Sequence, residues 1–291
     1  METRWLHTTS ENLPKLRDES KGVCVIPMGC IEKHGLHLPL GTDIIHASEL
    51  AYAASQLETF TVFADYTFGS VPANYPKAPF GTIAIDDRLN WDYLEALCEQ
   101  IARWGYNKIV VYNGHGGNNA FLTAFSRCLN MKKRNFAFFV NNLKLLLPHY
   151  MAEHLLEKGT GSIPELTKED EDLILGWHNE KIEYGHGCVG ETAYIMANNP
   201  QDVKMERLGI ESGLHQHKTG HLKKAGMAFG FSWDIDYPNN LSGHDPVGMN
   251  QRIANAAFRM NAQLFAEQVK VLKDDETTLN WMREKQEGWN S

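Results

Sequence analysis

Short apolar runs alternate with longer segments of helical periodicity through the first half of the chain. Val23-Cys24-Val25-Ile26-Pro27-Met28, bounded by Gly22 and Gly29, reads as a buried strand. A loop of Gly, His, Pro and Leu follows, and Asp43 then opens a helical pattern through Ala51. Asp at a helix start is a favourable N-cap and suits the helix dipole. Residues 60–68 form a second strand candidate, and residues 87–104 an amphipathic helix ending at Gly105, a C-cap. Residues 108–112 read as a third strand, running into Asn113-Gly114-His115-Gly116-Gly117-Asn118 and a helix over 120–129. Residues 136–140 are a fourth strand. This alternation predicts an α/β fold with a mostly parallel sheet covered on both faces.

The second half changes character. Residues 141–181 are richer in Glu, Lys and Asp, and their periodicity predicts helices away from the central sheet, an excursion or lid. Residues 191–197 are helical again, 200–245 read as irregular, and 250–272 form a strong closing helix before a charged surface tail. No internal repeat is visible, so the expected division is a single domain over 1–291 with a helical excursion at about 141–181.

Composition narrows the function. The 291 residues are 43% hydrophobic, enough for a large core. The net charge of -8 argues against a nucleic-acid partner, which would need a basic stripe. The amino terminus has no basic region leading into an apolar run, and no stretch of about 18 apolar residues suggests a membrane span. Cys24, Cys30, Cys98, Cys128 and Cys188 are dispersed and odd in number, the pattern of reduced thiols in a cytoplasm.

The 13 histidines carry the chemistry. Glu32 and His34 leave the first strand at its carboxyl end, where open α/β sheets place their sites, and Asp43 follows at a helix start. Mixed N/O donors of this kind suit Zn²⁺, Mn²⁺ or Fe²⁺, and a carboxylate such as Asp43 can bridge two ions. The bland alternative is a polar loop with a capping Asp. A second loop leaves another strand end carrying His115 between glycines, which let backbone approach a ligand. Two such loops make coincidence a poor explanation. A third cluster, Tyr184 to Thr192, offers His186 as a proton carrier and Glu191 as a further metal donor, or a surface His and a capping Glu.

These segments resemble the signatures of the creatininase (creatinine amidohydrolase) family: Glu32-Lys33-His34-Gly35 through Thr42-Asp43, Asn113 to Asn118, and His186 through Glu191-Thr192. Pro79-Phe80-Gly81-Thr82-Ile83 and Gly243-His244-Asp245-Pro246 resemble further motifs in the same order. The resemblance implies a three-layer α/β/α sandwich and two divalent ions, Zn or Mn. It also implies cleavage of a C–N bond in a small cyclic or linear amide by a metal-activated water, and a homo-oligomer, a hexamer in the family. It assigns Glu32, His34, Asp43, His115 and Glu191 to the metals, with Asp43 bridging, and His186 with Glu191 to catalysis. Creatinine enzymes keep a metal-binding Glu where this chain has Gly117, and a Glu-His pair where it has Asn74-Tyr75-Pro76; Val189 replaces another family Glu. These departures point to a substrate other than creatinine. True creatininase and a non-catalytic family member are the alternatives.

Other residues are read more plainly. Trp177 is a packing residue rather than a substrate cover, and His37 orients a ligand. His215, His217 and His221 are surface histidines, and Cys188 lacks the surroundings of a nucleophile. The glycine loop is not a phosphate loop, because neither GxGxxG nor a following Lys-Ser/Thr is present.

Overall fold

A computed structural model describes residues 1–71, 80–142, 149–182 and 185–288. Pro79, Tyr184 and the Asn74-Tyr75-Pro76 segment lie outside the described residues. In chain order the elements are α1 (Leu13–Glu19), β1 (Val23–Met28), α2 (Thr42–Leu57), β2 (Thr61–Val62), α3 (Asp87–Arg103), β3 (Lys108–Asn113), α4 (Asn118–Met131), β4 (Ala137–Asn142), α5 (His149–Lys158), α6 (Lys168–Asn179), α7 (Val189–Asn198), α8 (Gly220–Lys224), α9 (Ser232–Asp236), α10 (Gln251–Asp274) and α11 (Thr278–Gly288).

The strands form one parallel sheet in the order β2-β1-β3-β4. Their side chains alternate between two cores, as strand geometry demands. Cys24, Ile26, Met28, Ile109, Val111 and Phe138 face Leu94, Cys98 and Ile101 of α3 and Leu122 and Phe125 of α4. Val23, Val25, Val110 and Tyr112 face Ala47, Leu50 and Ala51 of α2 and Phe265 and Val269 of α10. This is the three-layer α/β/α sandwich that the alternation of elements predicts. Strands buried on both faces read as unbroken apolar runs, which is why β1 and β3 stand out in the sequence.

The second strand is much shorter than the 60–68 run suggests. Val62 still pairs with Val25, and Tyr66 returns as an isolated bridge to Met28. Between them Val25 and Pro27 present their carbonyls to this edge, accepting from Phe63 N at 2.7 Å and Tyr66 N at 2.8 Å. Pro27 has no N–H to return, so the ladder breaks there.

Helices α5 and α6 pack on helices rather than on strands. Met151, Leu155, Ile174 and Trp177 share a core with Tyr194 of α7 and Ile253 and Ala257 of α10. Trp177 is thus a packing residue. Asp170 fixes α6 to α10: it closes a capping box with Thr167 and accepts from Asn250 Nδ2 at 2.7 Å and Arg252 Nε at 2.6 Å. The Arg252 guanidinium, against the opposing pull of burial, holds this carboxyl well below its usual range. Because the folded value is depressed, the stabilisation is present above the ordinary carboxylate value near ~4 and is lost as pH falls below it. Asp170→Ala is expected to cost about 2 kcal/mol at neutral pH, since Arg252 stays half exposed. Urea midpoints at pH 7 and pH 3 check this: the gap between wild type and variant should shrink in acid.

Candidate metal centre

β1 and β3 are adjacent and in register, Met28 opposite Asn113, so their carboxyl-terminal loops emerge side by side. That places the Glu32–His34 loop next to His115. Gly29 then brings α2 back over the strand end: a side chain there would strike the Ile44 amide and lie 2.6 Å from the Asp43 carbonyl carbon. Only glycine lets the first turn of α2 sit so close. Asp43 is not the N-cap of α2. The helix starts at Thr42, the cap is Gly41 with no side-chain bond, and the Asp43 carboxylate turns instead into the cluster of histidines. Its charge still suits the helix start. Asn113 pins the second loop, accepting from His115 N at 3.1 Å and donating to its carbonyl at 2.9 Å.

The five predicted donors converge. Asp43 Oδ1 lies 3.1 Å from His34 Nε2, which is 3.6 Å from Glu191 Oε2. Asp43 Oδ2 lies 2.9 Å from His115 Nδ1, which is 3.0 Å from Glu32 Oε1. His186 Nδ1 is 3.5 Å from the same Glu32 oxygen. Cys30, absent from the sequence-based set, joins the Glu32–Asp43–His115 group and donates its thiol to Asp43 Oδ2 at 3.0 Å. It sits two residues before Glu32, on the same side of an extended chain, which is the signal that could have found it.

Three observations show that this donor set fits divalent cations. Ligands of a four-coordinate ion lie about 3.3 Å apart, close to the spacings here. Each histidine also gives its outward nitrogen to a main-chain carbonyl: His34 Nδ1 to Glu32 O at 3.1 Å, His115 Nε2 to Ser70 O at 3.1 Å, His186 Nε2 to Lys33 O at 2.6 Å. A carbonyl only accepts, so the outward nitrogen carries a proton and the inward one is left facing the carboxylates, the arrangement that orients metal-binding imidazoles. Finally, Glu32 Oε1 is buried with no well-aligned hydrogen bond, only the ring nitrogens of His115 at 3.0 Å and His186 at 3.5 Å beside it.

The electrostatics point the same way. Burial opposes charging of His34, but Asp43 and Glu191 outweigh it and raise the ring to about 10. Burial likewise opposes His115, yet Glu32 and Asp43 hold it well above the usual imidazole value. Burial works against the Glu32 carboxylate, and His186 and His115 overcome it, leaving it at about 2. Protons thus collect where a cation would sit. Burial pushes Glu191 up to about 7, and burial with neighbouring His34 pushes His186 down to about 4, so His186 is a neutral imidazole at neutral pH.

A cavity of about 810 Å³ opens over the cluster, lined by Glu32, His115, His186, Glu191 and Trp233 among others. Trp233 meets the His186 ring edge to face at 5.4 Å. None of its described lining residues belongs to α5 or α6, so these helices do not form its wall. His37 bonds Thr192 Oγ1 at 3.1 Å, bracing α7 beside Glu191 rather than touching a donor. His215 Nε2 lies 3.6 Å from Asp236 Oδ2, a carboxylate neighbour that local spacing does not reveal; neither residue joins the cluster. Cys188 is buried, with its thiol pushed up to about 12 by burial, unlike an activated nucleophile.

Fold and site together define a three-layer α/β/α protein with a buried N/O donor cluster at the carboxyl ends of its strands. The family profile for creatininase, described as creatinine amidohydrolase, matches residues 7–269, and the chain belongs to that family. It is 23% identical over 192 residues to creatinine amidohydrolase of Pseudomonas putida, covering 64% of this chain and 68% of that one. It is 30% identical over 167 residues to a 2-amino-5-formylamino-6-ribosylaminopyrimidin-4(3H)-one 5'-monophosphate deformylase of Methanococcus maripaludis, covering 57% and 69%. A crystal structure of creatininase superposes with a TM-score of 0.70 at 15% identity, over 94% of this chain and 98% of that one. Creatininases of Zn–Zn type and with Mn share the fold at a TM-score of 0.68 and 16% identity, each over 94% of this chain and all of the other. No described helix is long and apolar enough to cross a membrane.

Proposed function

We propose that this chain is a metal-dependent amidohydrolase that cleaves a C–N bond of a small cyclic or linear amide other than creatinine. The reading rests on Asp43, whose two oxygens face two different donor groups, His34 with Glu191 and His115 with Glu32, as a carboxylate shared by two cations would. Glu32, His34, Asp43, His115 and Glu191 would hold the ions, Zn or Mn, which supply Lewis acidity and a water of lowered pKa. His186 keeps its Nε2 proton on the Lys33 carbonyl and turns Nδ1 toward Glu32 Oε1, placed to take up a proton there from the attacking water and pass it to a leaving nitrogen. Assembly as a homo-oligomer is part of the same reading, carried by the family resemblance.

Two features favour a substrate other than creatinine. A side chain at position 117 would run into the His115 ring and lie 2.9 Å from the Ser70 carbonyl, so the glutamate of creatinine enzymes has no room here. Glu191 supplies the carboxylate instead. The cavity is also in the size range that holds larger ligands, roughly 300–1,000 Å³. A panel of formamides, cyclic amides and dipeptides, assayed beside creatinine, tests this. Creatinine turnover should fall about 100-fold or more below the best amide. Chelation should abolish hydrolysis and Zn²⁺ or Mn²⁺ restore it; full activity in chelated protein would sink the reading.

A further inference from the structure

His186 is held from a segment more than 50 residues further along the chain. Asn240 Nδ2 donates to the Lys33 carbonyl at 2.6 Å and lies 3.1 Å from His186 Nε2. Ser242 Oγ accepts from His186 N at 2.9 Å, and Ser242 N donates to the His186 carbonyl at 2.9 Å. Gly185 makes room for this contact, since a side chain there would collide with Ser242 Oγ. Ring and backbone of His186 are therefore strapped by one short stretch, 240–242.

The backbone at Asn240 is left-handed, with φ of 51°, and the residue is buried. Among non-glycine residues Asn adopts this conformation most readily, but it is still uncommon. The carbonyl it serves has two lone pairs, and both are taken: one by Asn240 Nδ2, the other by His186 Nε2 at 2.6 Å. A carbonyl oxygen that close to a bare ring nitrogen would set lone pair against lone pair. Nε2 must therefore carry a proton, it and Asn240 Nδ2 being two donors that converge on one carbonyl, and Nδ1 is turned toward Glu32 Oε1.

We propose that Asn240 is a positioning residue: by fixing the Lys33 carbonyl it holds the His186 Nε2 proton there and keeps Nδ1 presented to the donor cluster. The claim about rate rests on His186 being the proton carrier of the proposed reaction; the claim about tautomer and orientation does not. Asn240→Gly keeps the left-handed backbone and removes the side chain.

The test is ¹⁵N NMR of the histidine rings in zinc-loaded, full-length protein. Wild type should show His186 Nε2 as a protonated, pyrrole-type nitrogen and Nδ1 as an unprotonated one. In Asn240→Gly the two nitrogens should move toward averaged values, as ring and tautomer lose their fixed state. If an amide substrate is in hand, kcat should fall about 10- to 100-fold with KM within about twofold and zinc content unchanged. A wild-type His186 protonated at Nδ1 would overturn the proposal. So would an Asn240→Gly protein whose His186 signals match wild type, because the side chain would then be unnecessary. His186 signals that shift as proposed while no amide is hydrolysed would leave the positioning role standing and count against the proposed function alone.

Discussion

Asp43→Ala should leave a folded protein that holds little metal and has lost hydrolysis by about three orders of magnitude or more, roughly 4 kcal/mol of transition-state stabilisation. Both donor groups meet at this one carboxylate, so its removal weakens both at once. The fold should survive because Asp43 caps nothing: the first turn of α2 is held by other contacts, including the Thr42 hydroxyl on the Pro39 carbonyl at 2.7 Å. His34 would lose its main charge partner, while His115 would keep Glu32 at 3.0 Å. Elemental analysis beside circular dichroism separates the outcomes. An Asp43→Ala protein that keeps its full metal content would remove Asp43 from the centre, and an unfolded one would show that the carboxylate is structural.

His186→Ala is expected to lower kcat about 10²- to 10⁴-fold while the metal content stays near wild type. Its ring lies against His34 at a centroid distance of 3.9 Å, tilted by 32°, and lines the cavity, but five other donors make up the proposed metal set. Steady-state rates and metal analysis on the same preparation decide the role. Loss of an ion along with activity would make His186 a ligand, and unchanged kcat would take it out of the chemistry.

Much of this site is legible in the sequence because parallel sheets force it. Glu32 and His34 follow one apolar run and His115 another, and adjacent parallel strands must deliver their carboxyl ends to one edge. Glu191 stands at the start of a helical stretch and lands in the same cluster. Asp43 shows the limit of local rules: as an isolated helix start it reads as an N-cap, yet the histidines of two loops claim its oxygens first. Pro27 is a similar case, since the apolar run at 60–68 gives no sign that its partner strand lacks an amide. Asn240 and Ser242 are invisible locally, because their partners Lys33 and His186 are distant in sequence and the stretch around them has no period. The packing of α5 and α6 on α10 is also a matter of long-range contact, although their helical character is plain.

The most direct measurement is the metal content of gently purified wild-type protein by elemental analysis. A centre built around a shared Asp43 should carry about two divalent ions, zinc or manganese, per chain. It should lose them to a chelator, with a lowered melting temperature, and regain both metal and melting temperature on reconstitution. Protein that is purified without metal, and whose melting temperature does not rise with added Zn²⁺ or Mn²⁺, would contradict the account.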